Sequence, residues 1–407
     1  LRILFVQSPV GRQEAPIYPI GLAYLAGSTG SYECSGIDLS LSRVPGQALE
    51  DALVRIKPDV VAVSLRNIDD SSYPVTYWYL DSFGEIMSVL SAWKGFVIVG
   101  GAGFSIYPEK IMELWPRIDI GMIGEGELAL SEILRHLDGD PAPPWLVNGL
   151  ATPPRPDLEL LSQPDYSMFP VSDYPGRGSV GVQTRRGCVF NCSYCTYKSV
   201  SGNCFRLRPP EHIKRDIEEI ASRGFESFMF VDSVFDHPVE FYRKLLVILA
   251  ETENVPSWGA WLSESVPLDS MKDLYRAGCR WVDFSPDVIT EKGWKLMGKG
   301  GSLHRLWPAV KMARKTGLTV GVNFFSASPG ENFIALLGKF FFMAKARLLL
   351  GFGSTFINIG TIRLYRGAPL SGQICPGQDL FLPVFYRPKG LADAAIRVWQ
   401  SIRRKLR

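Results

Sequence analysis

Cys188-Val189-Phe190-Asn191-Cys192-Ser193-Tyr194-Cys195 sets three cysteines three and then two residues apart. Thiolates this close on one loop can each take one iron of a four-iron cluster, which leaves the fourth iron open to a chelating small molecule. A zinc site is the other chemistry these residues allow. It wants a fourth Cys or His, and Cys204 lies near enough in sequence to supply one. The CxxxCxxC order, with aromatic Tyr194 just before the last cysteine, favours the cluster. The chain has seven cysteines. In a cytoplasmic protein these argue for a metal site over disulfides. Cytoplasmic is the expectation here, because Leu1–Val10 reads as a buried strand without a cleavage site.

The elements that carry this loop begin at Ser179. Strand candidates are Ser179–Thr184, Ser227–Asp232, Ser257–Leu262, Trp281–Ser285, Leu318–Phe324 and Thr355–Ile362, with helical patterns opening near Pro210, Pro238, Leu268, Ile289, Leu303 and Glu331. About six βα units predict a partial (β/α)6 barrel over residues 179–370, with the cysteine loop following its first strand on the face where such barrels carry catalysis. Residues 1–140 alternate in the same way. Ile3–Gln7, Val60–Ser64, Phe96–Gly100, Ile118–Ile123 and a weaker Tyr32–Ile37 read as strands among helices such as Gln47–Ile56, Ser82–Ser91 and Glu127–Leu137. This predicts an α/β domain with a doubly wound, Rossmann-like parallel sheet, whose ligands sit beyond the carboxyl ends of the strands.

Between the two domains, residues 141–178 hold Pro141, Pro143, Pro144, Pro153, Pro154, Pro156, Pro164, Pro170 and Pro175, the composition of an extended linker. Residues 371–407 form a short C-terminal segment, whose closing Arg403-Arg404-Lys405-Leu406-Arg407 reads as a solvated helix end. The net charge is +3 with scattered basic residues, so no nucleic-acid footprint is present. The most apolar stretch, Phe333–Ile362, is broken by Lys339, Lys345 and Arg347, and predicts no membrane insertion.

The cysteine loop resembles the signature of the radical S-adenosylmethionine superfamily, and the resemblance extends around the barrel. Phe230-Val231-Asp232-Ser233-Val234-Phe235 resembles the second-strand motif that meets the methionine end of S-adenosylmethionine. Val282–Asp287 followed by Leu296-Met297-Gly298-Lys299-Gly300 resembles the fourth-strand region, with Asp287-Val288 where the family commonly has Glu-Ser. Ser326-Ala327-Ser328-Pro329-Gly330-Glu331 resembles the loop after the fifth strand. The resemblance implies a [4Fe-4S] cluster on Cys188, Cys192 and Cys195, with Tyr194, Asp232, Ser233, Asp287 and Glu331 as cofactor contacts. From the residues alone, Pro329-Gly330 is a turn and Glu331 suits a helix N-terminus.

The first domain carries its own set. Ser64-Leu65-Arg66 ends one strand and Gly100-Gly101 the next, and paired glycines there let a backbone approach a bulky ligand. Pro19–Ala26 and Gly124-Glu125-Gly126-Glu127 flank the same edge. A nucleotide is the rival ligand, but no GxGxxG follows the first strand. The set resembles the cobalamin-binding domain fused to many radical S-adenosylmethionine enzymes, which implies cobalamin at Ser64, Leu65, Arg66, Gly100, Gly101, Gly124, Glu125, Gly126 and Glu127. The histidines are His136, His212, His237 and His304. None follows the first strand, so the lower histidine ligand of many cobalamin proteins is absent. Arg12, Tyr18, Arg66 and Asn67 are the candidates for that face.

The resemblance implies methylation of a carbon too weakly acidic for side-chain bases. A reduced cluster splits S-adenosylmethionine to a 5′-deoxyadenosyl radical, and cobalamin delivers a methyl group. The expected partners are a small-molecule substrate, of natural-product or lipid type, and an external electron donor of flavodoxin or ferredoxin type. Two rivals share parts of this pattern: a non-methylating cyclisation, ring contraction or rearrangement, and a cobalamin-binding or redox-sensing protein without enzymatic activity. The catalytic residues are not legible. His237 and Tyr197 flank the expected site.

Overall fold

The computed structural model describes residues 1–10 and 15–387. Arg12 and the basic run Arg403–Arg407 lie outside the described residues. Five strands form the first parallel sheet: β1 (Arg2–Gln7), β2 (Glu33–Asp38), β3 (Val60–Ser64), β4 (Phe96–Gly100) and β5 (Ile120–Met122), in the order β2-β1-β3-β4-β5. Strands β1, β3 and β4 are nearly unbroken apolar runs because helices cover both faces of the sheet. Alternate side chains therefore serve opposite layers. Ile3 and Phe5 pack with Leu22, Ala23 and Ile133, while Leu4 and Val6 pack with Leu49, Phe83 and Leu90. From β1 the chain first goes outward to β2 and then returns to β3 on the other side, so the crevice lies between the carboxyl ends of β1 and β3.

The proline-rich stretch 141–178 extends this sheet. β6 (Leu146–Val147) and β7 (Leu150–Ala151) form a short antiparallel pair, with β7 parallel to β5. Prolines keep the stretch extended, but its apolar side chains fill the seam between the domains: Leu158, Leu161, Tyr166, Phe169 and Tyr174 are all buried. Tyr18 stands among Tyr166, Phe169, Tyr174 and Phe225 with ring centroids 5.3–5.8 Å apart. One continuous apolar core therefore joins the first sheet to the barrel.

After β8 (Val180–Val182) come two short antiparallel partners, β9 (Arg185–Arg186) and β10 (Arg206–Leu207). The barrel continues through β11 (Ser227–Phe230), β12 (Ser257–Leu262), β13 (Cys279–Asp287), β14 (Thr319–Phe325) and β15 (Thr355–Gly360). The six parallel strands run β8-β11-β12-β13-β14-β15 without closing, as a partial barrel should. Strands β8 and β11 stop short of the expected Thr184 and Asp232 for a physical reason. The N–H groups of Thr184 and Arg185 turn out of the ladder to donate to the Asp232 carboxylate, at 2.8 and 3.2 Å. Among the described residues no helix is long and apolar enough to cross a membrane.

Candidate active site

The loop between β9 and β10 carries the three cysteines, and the two-residue ladder closes its base. Its far side is braced by the barrel. Ser193 N–H donates to Met297 O at 2.8 Å, and Leu370 N–H donates to Ser193 O at 2.7 Å. The chain at Gly298 passes so close that a Cβ there would lie 2.3 Å from Asn191 O, and its φ of +66° also favours glycine. Cys188, Cys192 and Cys195 line one chamber of about 510 Å³ with Phe190, Trp261 and Val234. That volume is in the range of small-molecule sites, about 300–1,000 Å³.

Among the described residues, no three Cys, His, Asp or Glu side chains converge on a single ion. Three thiols on one chamber suit a many-atom cluster, each on its own iron. Cys204 is exposed and does not line the chamber. Burial pushes the Cys192 thiol up to about 12, so a bare loop holds protons that a metal must displace.

The acidic residues singled out in the sequence are each engaged by the protein. Asp232 lines the chamber, yet both its oxygens are taken. Besides the two backbone donors it accepts from Thr184 Oγ1 at 2.7 Å, and Arg185 Nε stands 3.8 Å away. Ser233 Oγ donates to Gly187 O, which ties β11 to the start of the cysteine loop. Asp287 ends β13 after a break in its pairing register and has a φ of +67°. Its Oδ2 accepts from Tyr194 Oη and from Lys299 Nζ, both at 2.8 Å. Tyr194 and Asp287 thus hold the cysteine loop against the fourth barrel strand. Burial opposes charge on Lys299, but Asp287 and Glu264 outweigh it and raise its pKa. Glu331 does not line the chamber. It pairs with buried Lys339 and accepts from Ile289 N at 2.6 Å and Thr290 N at 3.1 Å, at the start of the helix Glu291–Leu296.

Sequence reasoning missed Glu264. It follows β12 in Ser263-Glu264-Ser265, lines the chamber and is 5% exposed, and its Oε1 has no hydrogen-bond partner. Burial pushes its carboxyl up to about 7. A usable signal was present: a polar triplet directly after an apolar strand, on the catalytic face of the barrel. Beside it, Asp236 accepts from Ser263 N and Oγ at 2.7 and 2.6 Å and stands 3.2 Å from His237 Nδ1. His237 and Tyr197 both line the chamber.

In the first domain, Ser64 and Gly100 end adjacent strands in register, and Leu65 N–H donates to Gly100 O at 2.8 Å. Gly101 has a φ of +100°, and a Cβ there would stand 2.6 Å from Leu65 O, so no other residue fits. A Cβ on Gly124 would meet open space, and Ser8 Oγ, at the end of β1, is buried without a partner. An open glycine edge with an unused hydroxyl at the crevice fits a bulky ligand there. Arg66 and Asn67 remain on this edge, half-buried. Tyr18 does not, being packed in the aromatic seam. His136 sits at the far end of the helix Glu127–Leu137, with Nδ1 2.8 Å from Asp140 O.

Glu125 and Glu127, read as ligand contacts, point their carboxylates across to the cysteine loop. Arg186, two residues before Cys188, reaches Glu125 Oε2 at 2.8 Å and Glu127 Oε1 at 2.5 Å, with all three side chains at least nine-tenths buried. Arg206 pairs with the other oxygen of Glu125. This buried ion network locks the ligand edge of the first sheet to the base of the cluster loop.

Comparison with known proteins agrees with this two-part site. The radical SAM superfamily model matches residues 182–337, and the B12 binding domain model matches residues 10–134. An uncharacterized methyltransferase of Pyrococcus horikoshii is 26% identical over 334 residues, covering 77% of this chain and 70% of that protein. An anaerobic magnesium-protoporphyrin IX monomethyl ester cyclase of Cereibacter sphaeroides is 24% identical over 81% of this chain, which spans only 58% of the cyclase. Among solved structures, the radical S-adenosylmethionine methyltransferase TsrM from Kitasatospora setae, with tryptophan and an S-adenosylmethionine analogue bound, superposes with a TM-score of 0.79. It is 21% identical and covers 91% of this chain and 75% of its own, a likeness of fold. With the cysteine loop, the glycine edge and both matched models in place, the chain belongs to the cobalamin-dependent branch of the radical S-adenosylmethionine superfamily, whose cofactors are a [4Fe-4S] cluster, S-adenosylmethionine and cobalamin.

Proposed function

We propose that this protein is a C-methyltransferase acting on an unactivated carbon of a small molecule. The observation that carries this reading is the Arg186–Glu125–Glu127 network, which fixes the carboxyl edge of the cobalamin domain against the cysteine loop. When bound, the cofactors supply a one-electron reductant, a hydrogen-abstracting radical derived from S-adenosylmethionine and a transferable methyl group. The chain's own residues position and protect. Cys188, Cys192 and Cys195 hold the cluster, and the Tyr194–Asp287–Lys299 contacts keep their loop in one orientation. Phe190, Val234 and Trp261 make part of the chamber wall apolar, which limits water around a reactive intermediate. Ser64, Gly100, Gly101 and Gly124 would receive the cobalamin. A cytoplasmic location and an external one-electron donor of flavodoxin or ferredoxin type complete the reading.

The test is an anaerobic assay of the reconstituted protein with a strong one-electron reductant and candidate metabolites, followed by mass spectrometry. Methylation requires S-adenosylhomocysteine and 5′-deoxyadenosine to appear together with a product heavier by one CH₂. The similarity to the cyclase supports the alternative of a non-methylating reaction. 5′-Deoxyadenosine forming with a rearranged product and without S-adenosylhomocysteine would establish that outcome.

A second expectation concerns cobalt. Among the described residues no histidine stands at the carboxyl edge of the first sheet, and residues 11–14 contain none. Protein-bound cobalamin in the cobalt(II) state should therefore give a paramagnetic resonance spectrum unchanged when the protein is grown on ¹⁵N-histidine. A change in nitrogen splitting on that substitution would mean that a distant histidine reaches the metal.

A further inference from the structure

The carboxylates around the cysteine loop differ in one respect: whether their oxygens are already used. Asp232 is held by Thr184 and Arg185, Asp287 by Tyr194 and Lys299, and Asp236 by Ser263. Glu331 is held by Lys339, outside the chamber. Among the carboxylates that line the chamber Glu264 is the exception: it is 5% exposed, and its Oε1 has no partner. A buried carboxyl oxygen without a donor is costly, and in a native protein such a group calls for a partner or a role. The neighbouring cation Lys299 donates to Asp287 Oδ2 and to Ser285 O and gives Glu264 Oε1 no hydrogen bond.

We infer that Glu264 accepts a hydrogen bond from a hydroxyl or ammonium group of the S-adenosylmethionine held against the cysteine loop. This rests on the reading above that the chamber is the S-adenosylmethionine site. It moves the recognition of a donor hydrogen away from Asp232, Asp287 and Glu331, whose oxygens serve the protein's own framework. The raised carboxyl of Glu264 fits the same picture. Burial raises this carboxyl to about 7, and a hydrogen-bond donor beside it favours the charged form.

The test compares wild-type, Glu264→Leu and Glu264→Gln proteins, each with its cluster rebuilt. S-adenosylmethionine binding is read by equilibrium dialysis, and thermal unfolding is followed in parallel. Leucine keeps the bulk and removes the acceptor, so affinity should fall roughly tenfold or more, the loss expected for a hydrogen bond to a charged group. Glutamine keeps one acceptor oxygen and should fall between. The Tm of both variants should equal or exceed that of wild type, because a buried carboxyl without a partner has been removed. Competition separates the two sources of the donor. If only 5′-methylthioadenosine binds more weakly to the leucine variant, the ribose hydroxyls are the donors. If only methionine does, the ammonium is. S-adenosylmethionine affinity within twofold of wild type in Glu264→Leu would overturn the inference, as would a lowered Tm with loss of iron, which would make Glu264 a structural residue. Wild-type protein that bound no S-adenosylmethionine would overturn the assignment of the chamber and the inference with it.

Discussion

Anaerobically reconstituted protein in which Cys188, Cys192 and Cys195 are all alanine should hold no iron and lack the brown absorbance of a [4Fe-4S] cluster. The three side chains line one chamber wall, and no other cysteine is placed to substitute: Cys204 is exposed, Cys279 is buried elsewhere, and Cys34 and Cys375 do not line the chamber. The variant should still fold. The loop is braced by backbone contacts to Met297 and Leu370 and by Tyr194, none of which involves a cysteine sulfur. Loss of metal with an unchanged Tm of the metal-free protein is therefore expected. Cys204→Ala should keep four irons and four sulfides. Iron lost from that single variant would revive a four-cysteine site, and four irons retained by the triple variant would exclude the cluster assignment altogether.

Arg186→Met should be the most damaging single substitution at the seam between the two cofactor sites. Burial alone would lower the pKa of this arginine, but Glu127 and then Glu125 outweigh it and hold it above the ordinary value. Removing the cation leaves Glu127 buried with no partner for either oxygen, since its Oε2 already has none, while Glu125 keeps Arg206. Breaking a buried pair in this way costs about 3–5 kcal/mol. For a chain of this size that is a fall in Tm of roughly 4–6 °C. The double variant Arg186→Met/Glu127→Gln should recover part of the loss, because the stranded charge is gone. Cobalamin affinity should drop in the single variant, since Glu125 follows Gly124 directly and Glu127 opens the next helix. A Tm within a degree of wild type would show that the network contributes little.

Local spacing is why the cluster cysteines could be read from the sequence: three thiolates within eight residues must share one loop whatever the rest of the chain does. The strands were legible for a similar reason. Apolar runs punctuated by glycine and proline mark buried strands, and their alternation with helices leaves few parallel arrangements. Several boundaries moved by a residue or more, and at β8 the cause is a tertiary partner: Asp232 accepts from the Thr184 and Arg185 N–H groups and draws them out of the ladder.

The roles of the acidic residues were decided by the tertiary structure. Asp232, Asp287, Glu331, Glu125 and Glu127 all stand out in the sequence, but whether a carboxylate faces a ligand or the protein depends on which cation packing brings to it. Arg185, Lys299, Lys339 and Arg186 claim these groups, from eight residues away to about sixty. The proline-rich stretch shows the same limit: its composition predicts an extended chain, and only the aromatic seam around Tyr18 shows that it is packed. Glu264 is the clearest case. The sequence by itself places a glutamate after a barrel strand, while its burial and its unused oxygen are sums over neighbours distant in the chain, and desolvation of that kind exists only once the chamber has formed.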